Sequence, residues 1–179
     1  MKTIQKIAMA AGAIIAIPLI SALFVKKEYS VAREITIDKS KAEVFDYIKY
    51  LKNQDNFSKW ANMDPQMEKS YRGTDGTVGF VSAWSSQKDE VGQGEQEILK
   101  IMEGERIDYE LRFLKPFKSI SPAYMTTHSE SDNKTRVVWG FNGKMDYPMN
   151  LMLLFMDFEK MIGDDLELGL KNLKTKLEE

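Results

Sequence analysis

The sequence contains no cysteine and a single histidine, His128, among its 179 residues. Disulfide bonds, thiolate nucleophiles and cysteine-ligated zinc or iron–sulfur centres are therefore excluded. Sites that need two imidazoles are excluded because only one is present. The lack of cysteine does not identify the cellular compartment, since a chain without thiols tolerates both reducing and oxidising surroundings.

A basic surface is also missing. Four of the 25 lysines and arginines precede residue 28 and no acidic residue does, so residues 28–179 carry 21 basic against 27 acidic groups. Proteins that bind nucleic acids neutralise phosphates with clustered positive charge. We therefore expect no nucleic-acid partner.

The N-terminal segment is the longest apolar run. Residues 7–25 carry no charge, and as a helix they would span about 28 Å, close to the hydrocarbon thickness of a bilayer. We predict an uncleaved single-pass anchor and flank over residues 1–27, followed by one domain over residues 28–179. A cleaved signal peptide and a buried core helix are the alternatives, but residues 22–27 (ALFVKK) lack a small-residue cleavage pattern. Lysines flank both sides of the run, so the orientation stays open.

The remaining chain reads as β–α–α–β₆–α. Alternating residues 29–38 predict a strand, and Ser40 with Glu43 predicts a capping box for a helix over residues 42–51. A short helix over residues 56–61 follows. Further strands are predicted over residues 66–72, 78–85, 94–102, 106–114, 117–129 and 135–142. Their short connections favour an antiparallel meander.

A long helix is predicted after Pro148, with an apolar stripe that begins at Leu151 and Phe155 and ends at Leu177. Methionines beside the stripe would line an adaptable pocket wall or simply fill the core. Gly163 and Gly169 inside this helix would allow either close approach to the sheet or a local bend. The economical packing is an α+β fold in which a curved antiparallel sheet wraps around the long C-terminal helix.

Five stretches carry a family resemblance: YSVAREITIDKSKAEVFDYI, NFSKW, GTVGFVSAW, TRVVWGFNG and YPMNLMLLFMDFEKMIGDDLELGLKNLK. Together they resemble the START-like (SRPBCC) superfamily over about residues 28–177, closest to its bacterial polyketide cyclase-like branch. The resemblance implies the helix-grip fold with a deep apolar cavity between the sheet and the C-terminal helix. It also implies a bound lipid or other hydrophobic small molecule and, with the anchor, a place in a bacterial inner membrane.

Aromatic residues on the predicted strands and methionines at the start of the last helix are the candidate ligand contacts. Tyr109 and Tyr124 stand out because a buried phenol offers a hydrogen bond to a ligand. The alternative for every member is ordinary core packing. The candidates are Trp60, Phe80, Trp84, Tyr109, Phe113, Tyr124, Trp139, Phe141, Met149, Met152 and Met156.

Catalytic groups are few. His128 lies near a predicted turn and reads as a surface residue. Glu97 would be a candidate acid–base group only if its strand face points inward, and we favour a solvated position for it and for Glu95. Asp157, Asp164 and Asp165 lack the spacing of a calcium loop. We expect no catalytic residue, metal or cofactor.

A membrane-anchored, non-catalytic binding module is thus the leading functional hypothesis. A polyketide cyclase or dehydratase-like enzyme and a protein-interaction module resembling chaperone regulators are the alternatives. The oligomeric state stays open.

Overall fold

A computed structural model describes residues 2–179 of the chain. Its helices are α1 (Lys2–Ala22), α2 (Lys41–Ile48), α3 (Lys59–Met63) and α4 (Phe158–Glu178), with 3₁₀ helices at Leu51–Asn56 and Met149–Leu154. Its strands are β1 (Glu28–Ile37), β2 (Glu68–Arg72), β3 (Val81–Ser85), β4 (Gln93–Met102), β5 (Arg106–Lys115), β6 (Ser119–Ser131) and β7 (Lys134–Lys144). We call Met149–Leu154 the second 3₁₀ helix.

All seven strands form one antiparallel sheet in the order β1-β7-β6-β5-β4-β3-β2. The predicted meander of β2–β7 is confirmed, and β1 pairs with the last strand, β7, at the sheet's edge. α4 packs against β1 and β7. The α+β helix-grip fold is thereby confirmed. We call the face toward α4 the inner face and the opposite one the outer face.

The capping box at the start of α2 is confirmed. Ser40 Oγ accepts a hydrogen bond from the Glu43 backbone N–H, and the Glu43 carboxylate accepts one from the Ser40 backbone N–H at 3.1 Å. α2 ends at Ile48, before the predicted end at residue 51. The chain then tightens into the first 3₁₀ helix, because the Asp75 carboxylate accepts a hydrogen bond of 2.8 Å from the Leu51 backbone N–H.

The predicted start of the long helix was wrong. α4 begins at Phe158, capped by Asp157, whose carboxylate accepts a hydrogen bond of 2.8 Å from the Lys160 backbone N–H. The preceding second 3₁₀ helix is drawn toward α1, since the Asn150 side chain donates hydrogen bonds to carbonyls there. Phe155 is 83 % exposed and is not part of the buried stripe.

The core lies between the inner face and the helices. Leu166, Leu170 and Leu173 of α4 are fully buried against it. The two glycines of α4 serve close approach, because Gly169 faces the Trp139 ring and Gly163 faces the Arg33 guanidinium. Burying these apolar surfaces is the main force that holds helix and sheet together.

α1 stands apart from this core. Its Thr3–Ala22 stretch is long and apolar enough to cross a membrane, and the most apolar 18 residues of it are not buried in the structure. Only the end of the helix meets the domain, where Ala22 is buried. A signal sequence would share those properties. α1 ends beside the start of β1. The same end of the sheet holds the starts of β1 and β6 and the last residues of β5 and β7, and we call it the α1 end.

Candidate functional site

An open cavity of about 390 Å³ lies at the α1 end of the domain, between the start of β1 and the start of α4. We call it the inner cavity. Six of its nine lining residues are aliphatic or aromatic and three are charged, and its exposed lining surface is somewhat more polar than apolar. The lining residues are Lys26, Tyr29, Leu153, Leu154, Phe155, Met156, Asp157, Phe158 and Glu159.

Tyr29 forms the sheet side of this cavity. Its ring centroid lies 5.9 Å from that of Phe158 and 6.3 Å from that of Phe141. The ring lies over Gly143, where any Cβ would overlap it. Burial raises the pKa of Tyr29, so the phenol stays protonated at neutral pH and can donate a hydrogen bond. Tyr29 was not among the predicted ligand contacts, although its period-two spacing from Val31 places it on the inner face.

The three candidate methionines do not share one wall. Met156 lines the inner cavity. Met149 is exposed and Met152 is half-buried in the second 3₁₀ helix, and neither belongs to the cavity lining. They were predicted on one helical face, and the change from α-helical to 3₁₀ geometry separates them.

Most of the predicted aromatic residues do lie on the inner side, where they form the core. Trp139 is central: its ring meets Trp60 edge to face at 6.2 Å and Phe57 at 5.6 Å. A second edge-to-face pair joins Trp84 and Phe113 at 6.0 Å. Phe80 is buried in the same core. Of these aromatics, Phe141 comes nearest to the inner cavity, through its contact with Tyr29.

Tyr109 lies deep on the inner face and is only 1 % exposed. Within residues 2–179 its hydroxyl makes no hydrogen bond of normal geometry, and neither does the side-chain nitrogen of buried Gln54, although the two groups are close enough to influence each other. Burial raises the pKa of Tyr109, while the nearby Gln54 amide acts in the opposite direction. Two unsatisfied polar atoms in an apolar core are costly, because each has given up its hydrogen bond to water.

Tyr124, predicted as a ligand contact, lies on the outer face of the sheet and does not face the inner cavity. Ala123 pairs with Tyr109 and shares the inner face, which turns Tyr124 to the outer face. There the Arg106 guanidinium lies 4.2 Å from the centre of the Tyr124 ring. Gly140 on β7 leaves room for that ring.

The candidate acid–base residues also belong to the outer face. Arg112 Nη2 lies 2.8 Å from a Glu97 carboxylate oxygen, and Arg112 also bonds Glu95 and Glu110 at 2.6 Å each. The hydrogen bond from Arg112 lowers the pKa of Glu95, and the bond to Glu110 raises the pKa of Arg112. The Glu95 and Glu97 side chains are 21 % and 28 % exposed in this network, so they are half-buried and paired with Arg112 rather than freely solvated.

His128 is exposed on the same face, with its Nε2 atom 3.1 Å from Thr126 Oγ1. Within residues 2–179, no three histidine, aspartate or glutamate side chains are grouped in a way that could hold a metal ion. Glu95, Glu97 and His128 therefore lie away from the inner cavity.

A second open cavity of about 560 Å³ lies on the outer face at the α1 end. Tyr29, Ile120, Pro122 and Gly143 contribute to it, together with the polar residues Glu28, Ser30, Asn142 and Lys144. It is larger than the inner cavity, about as open, and more apolar in its exposed lining, but it lies on the outer face of the sheet. We place the candidate site in the inner cavity, because that cavity lies between sheet and helix and has more aromatic walls.

Comparison with known families fits this architecture. The family described as "Polyketide cyclase / dehydrase and lipid transport" matches residues 28–178. The chain belongs to this family. The family match spans the whole helix-grip domain, from β1 to the end of α4. A search of curated proteins gave no significant match.

Solved structures of the same fold are numerous and distant in sequence. A norcoclaurine synthase mutant from Thalictrum flavum, in complex with a transition-state analogue, has a TM-score of 0.60 at 6% identity, covering 85% of this chain and 98% of that one. The Aha1 dimer from Colwellia psychrerythraea has a TM-score of 0.57 at 14% identity, covering 84% and 96%. CalU16 from Micromonospora echinospora has a TM-score of 0.55 at 13% identity, covering 84% and 76%. At such identities the likeness shows the SRPBCC, or START-like, fold alone.

Proposed function

We propose that this protein binds a lipid or another hydrophobic small molecule in the inner cavity, and that α1 anchors it in a membrane. The observation that carries the proposal is the position of the cavity. It opens at the α1 end of the domain, and Tyr29, Phe155, Met156 and Phe158 give it aromatic and flexible apolar walls. Such walls suit guests of irregular apolar shape.

The rim of the cavity offers polar contacts for a ligand head group. Lys26 and Glu159 form an ion pair of 3.3 Å across it, with side chains 64 % and 53 % exposed. Exposed ion pairs of this kind contribute at most about 1 kcal/mol. A ligand with a charged or polar head can therefore separate them at little cost and take one of them as its partner.

Anchoring would make such binding effective. A domain tethered beside a bilayer meets membrane-borne ligands at a high effective concentration, even where its intrinsic affinity is modest. Membership of a family whose description includes lipid transport supports this direction, and the outer-face positions of Glu97 and His128 give less support to an enzyme. Tyr109 and Phe141 remain candidate contacts beyond the cavity, for a ligand long enough to reach the core.

Native mass spectrometry of residues 26–179, purified without detergent, tests the proposal. This fragment retains every residue of the hydrophobic core, which begins at Val31, and it keeps Lys26 of the rim. We expect a co-purifying lipid-like molecule that organic extraction releases. Met156→Trp should reduce its occupancy because the indole fills the cavity. Met161→Trp is the matched control, since Met161 is 51 % exposed and outside the lining.

Two outcomes would count against this proposal. A folded fragment that carries no ligand and also refuses added fatty acids and phospholipids contradicts the proposal. Equal loss of ligand in the Met156 and Met161 variants would show that the inner cavity is not the binding site.

A further inference from the structure

We propose that the α1 end of the domain inserts into the surface of the bilayer, so that the inner cavity opens onto the lipids. The inserted surface consists of the second 3₁₀ helix with Phe155, and of the β5–β6 hairpin tip at residues 115–118. This inference rests on the proposed anchoring by α1 and adds a membrane-contacting face to it.

Asn150 fixes the depth of the second 3₁₀ helix. Its Nδ2 atom donates hydrogen bonds to the carbonyl oxygens of Ala22 at 2.7 Å and Val25 at 3.0 Å. Both acceptors belong to the last part of the uncharged run of residues 7–25. If that run spans the hydrocarbon, a side chain bonded to its final turn lies at the membrane surface. The whole second 3₁₀ helix is then held at that level.

The residues that follow Asn150 are suited to this position. Leu154 is 60 % exposed and Phe155 is 83 % exposed, although both are large and apolar. Phe24, just beyond α1, is 85 % exposed. Exposed apolar residues that cluster beside a membrane helix are characteristic of a lipid-contacting surface.

The hairpin tip brings a second apolar element to the same end. β5 ends at Lys115 and β6 begins at Ser119. Ile120, two residues after the tip, lines the second cavity on the outer face together with Glu28 and Lys144, which places the tip near the start of β1. Phe117, at the tip itself, is 68 % exposed.

The charges around Phe117 select a lipid surface as the partner. Lys115 and Lys118 flank it, and both are exposed. An aromatic ring between two lysines fits the interface, because the ring enters the acyl boundary while the ammonium groups reach the phosphates. Each such lysine adds about 1 kcal/mol at an anionic membrane. The domain as a whole is acidic, so this basic and aromatic tip is a local feature.

Membrane contact at this end has a consequence for ligand entry. Leu154 and Phe155 both line the inner cavity and belong to the proposed inserted surface. A hydrophobic ligand could therefore pass between bilayer and cavity along one continuous apolar path. It would not need to cross water.

The full chain in vesicles provides the test. Because the natural sequence has no cysteine, each introduced cysteine is the single site that a thiol-reactive label can modify. We would prepare Phe117→Cys and Phe155→Cys, each labelled with the environment-sensitive fluorophore NBD, in vesicles of phosphatidylcholine and phosphatidylglycerol. Asp132→Cys is the control, because Asp132 is exposed in the β6–β7 turn at the opposite end. All three sites are exposed, so the substitutions remove no core packing. We expect blue-shifted emission and quenching by spin-labelled lipids at residues 117 and 155, and water-like emission at residue 132.

Flotation of the same vesicles separates the two proposals. A chain that floats with water-like emission at either test site overturns the inserted surface alone, and leaves that patch to a protein partner. A chain that does not float overturns the anchor and, with it, this inference.

Discussion

The side-chain amide of Asn150 donates a hydrogen bond of 2.7 Å to the backbone carbonyl of Ala22, which lies 128 residues earlier in the chain. Asn150 is fully buried, and its side-chain oxygen finds no hydrogen-bond partner in the part of the chain that the structure describes. The amide thus closes the C-terminal end of α1, where carbonyls lack partners within the helix. One side chain joins the N-terminal helix to the segment that lines the inner cavity.

Asn150→Ala should therefore destabilise the full chain but not the isolated domain. In the full chain the substitution leaves carbonyls of residues 22 and 25 without their donor, at a cost of about 1–3 kcal/mol. In residues 26–179 those acceptors are absent, so the change should be small. Denaturant unfolding of both forms measures the difference. Asn142→Ala on the outer face is the control. If Asn150→Ala lowered the free energy of unfolding equally in both forms, the stabilising role of the Asn150 hydrogen bonds to residues 22 and 25 would be contradicted.

The two glycines of α4 should respond in opposite ways to alanine. Alanine favours a helix interior over glycine by about 1 kcal/mol. At residue 169 the new Cβ would lie 2.7 Å from the Trp139 ring, which is rigidly packed, and overpacking costs about 1–3 kcal/mol. At residue 163 the neighbour is the Arg33 guanidinium, the mobile end of a long side chain. We expect Gly169→Ala to lower the free energy of unfolding and Gly163→Ala to leave it equal or higher.

Chemical denaturation of both variants and of the unmodified domain measures these changes in the free energy of unfolding. A loss of stability at residue 163 as large as that at residue 169 would show that Arg33 is held in place.

Local patterns in the sequence were sufficient to predict much of this fold. The Ser40–Glu43 pair gives the start of α2 because its hydrogen bonds span only three residues. Alternation of Ile107, Tyr109, Leu111 and Phe113 gives the inner face of β5, since side chains on a strand alternate between faces.

The errors arose where distant contacts decide the local structure. The apolar period continues smoothly through Leu151 and Phe155, so nothing local reveals that Asn150 is drawn to α1. On β6 the larger residue, Tyr124, faces outward. The inner position beside it is Ala123, which pairs with both Tyr109 and Phe141. A close-packed core needs a small residue between two large ones, and a sequence pattern read by size alone selects the wrong face.

The charged network on the outer face should contribute to the loss of folding stability as the pH falls. The pKa of Glu95 is lower in the folded protein than its ordinary value, chiefly because Arg112 donates a hydrogen bond to its carboxylate. A group with a depressed folded-state pKa stabilises the protein above its unfolded-state pKa, and that stabilisation is lost as the pH falls through the folded-state value. Glu95→Gln should thus lower stability at neutral pH and flatten its decline in acid.

Urea midpoints measured from neutral pH into the acid range follow both effects. Glu90→Gln, in the exposed β3–β4 loop, is the control. A decline in acid as steep as that of the unmodified protein would mean that Glu95 contributes little to it.

Tyr109→Phe distinguishes a ligand contact from a structural residue. The Tyr109 hydroxyl is buried and makes no hydrogen bond of normal geometry to any described residue, and such a group costs about 1–3 kcal/mol relative to a satisfied one. Removing it should leave the free energy of unfolding unchanged or raise it by about 1 kcal/mol. If a bound ligand reaches this hydroxyl, the same substitution should also reduce the amount of ligand seen by native mass spectrometry. Lower ligand occupancy in a protein of equal or greater stability assigns Tyr109 to the site, whereas unchanged occupancy makes it a residue of the core.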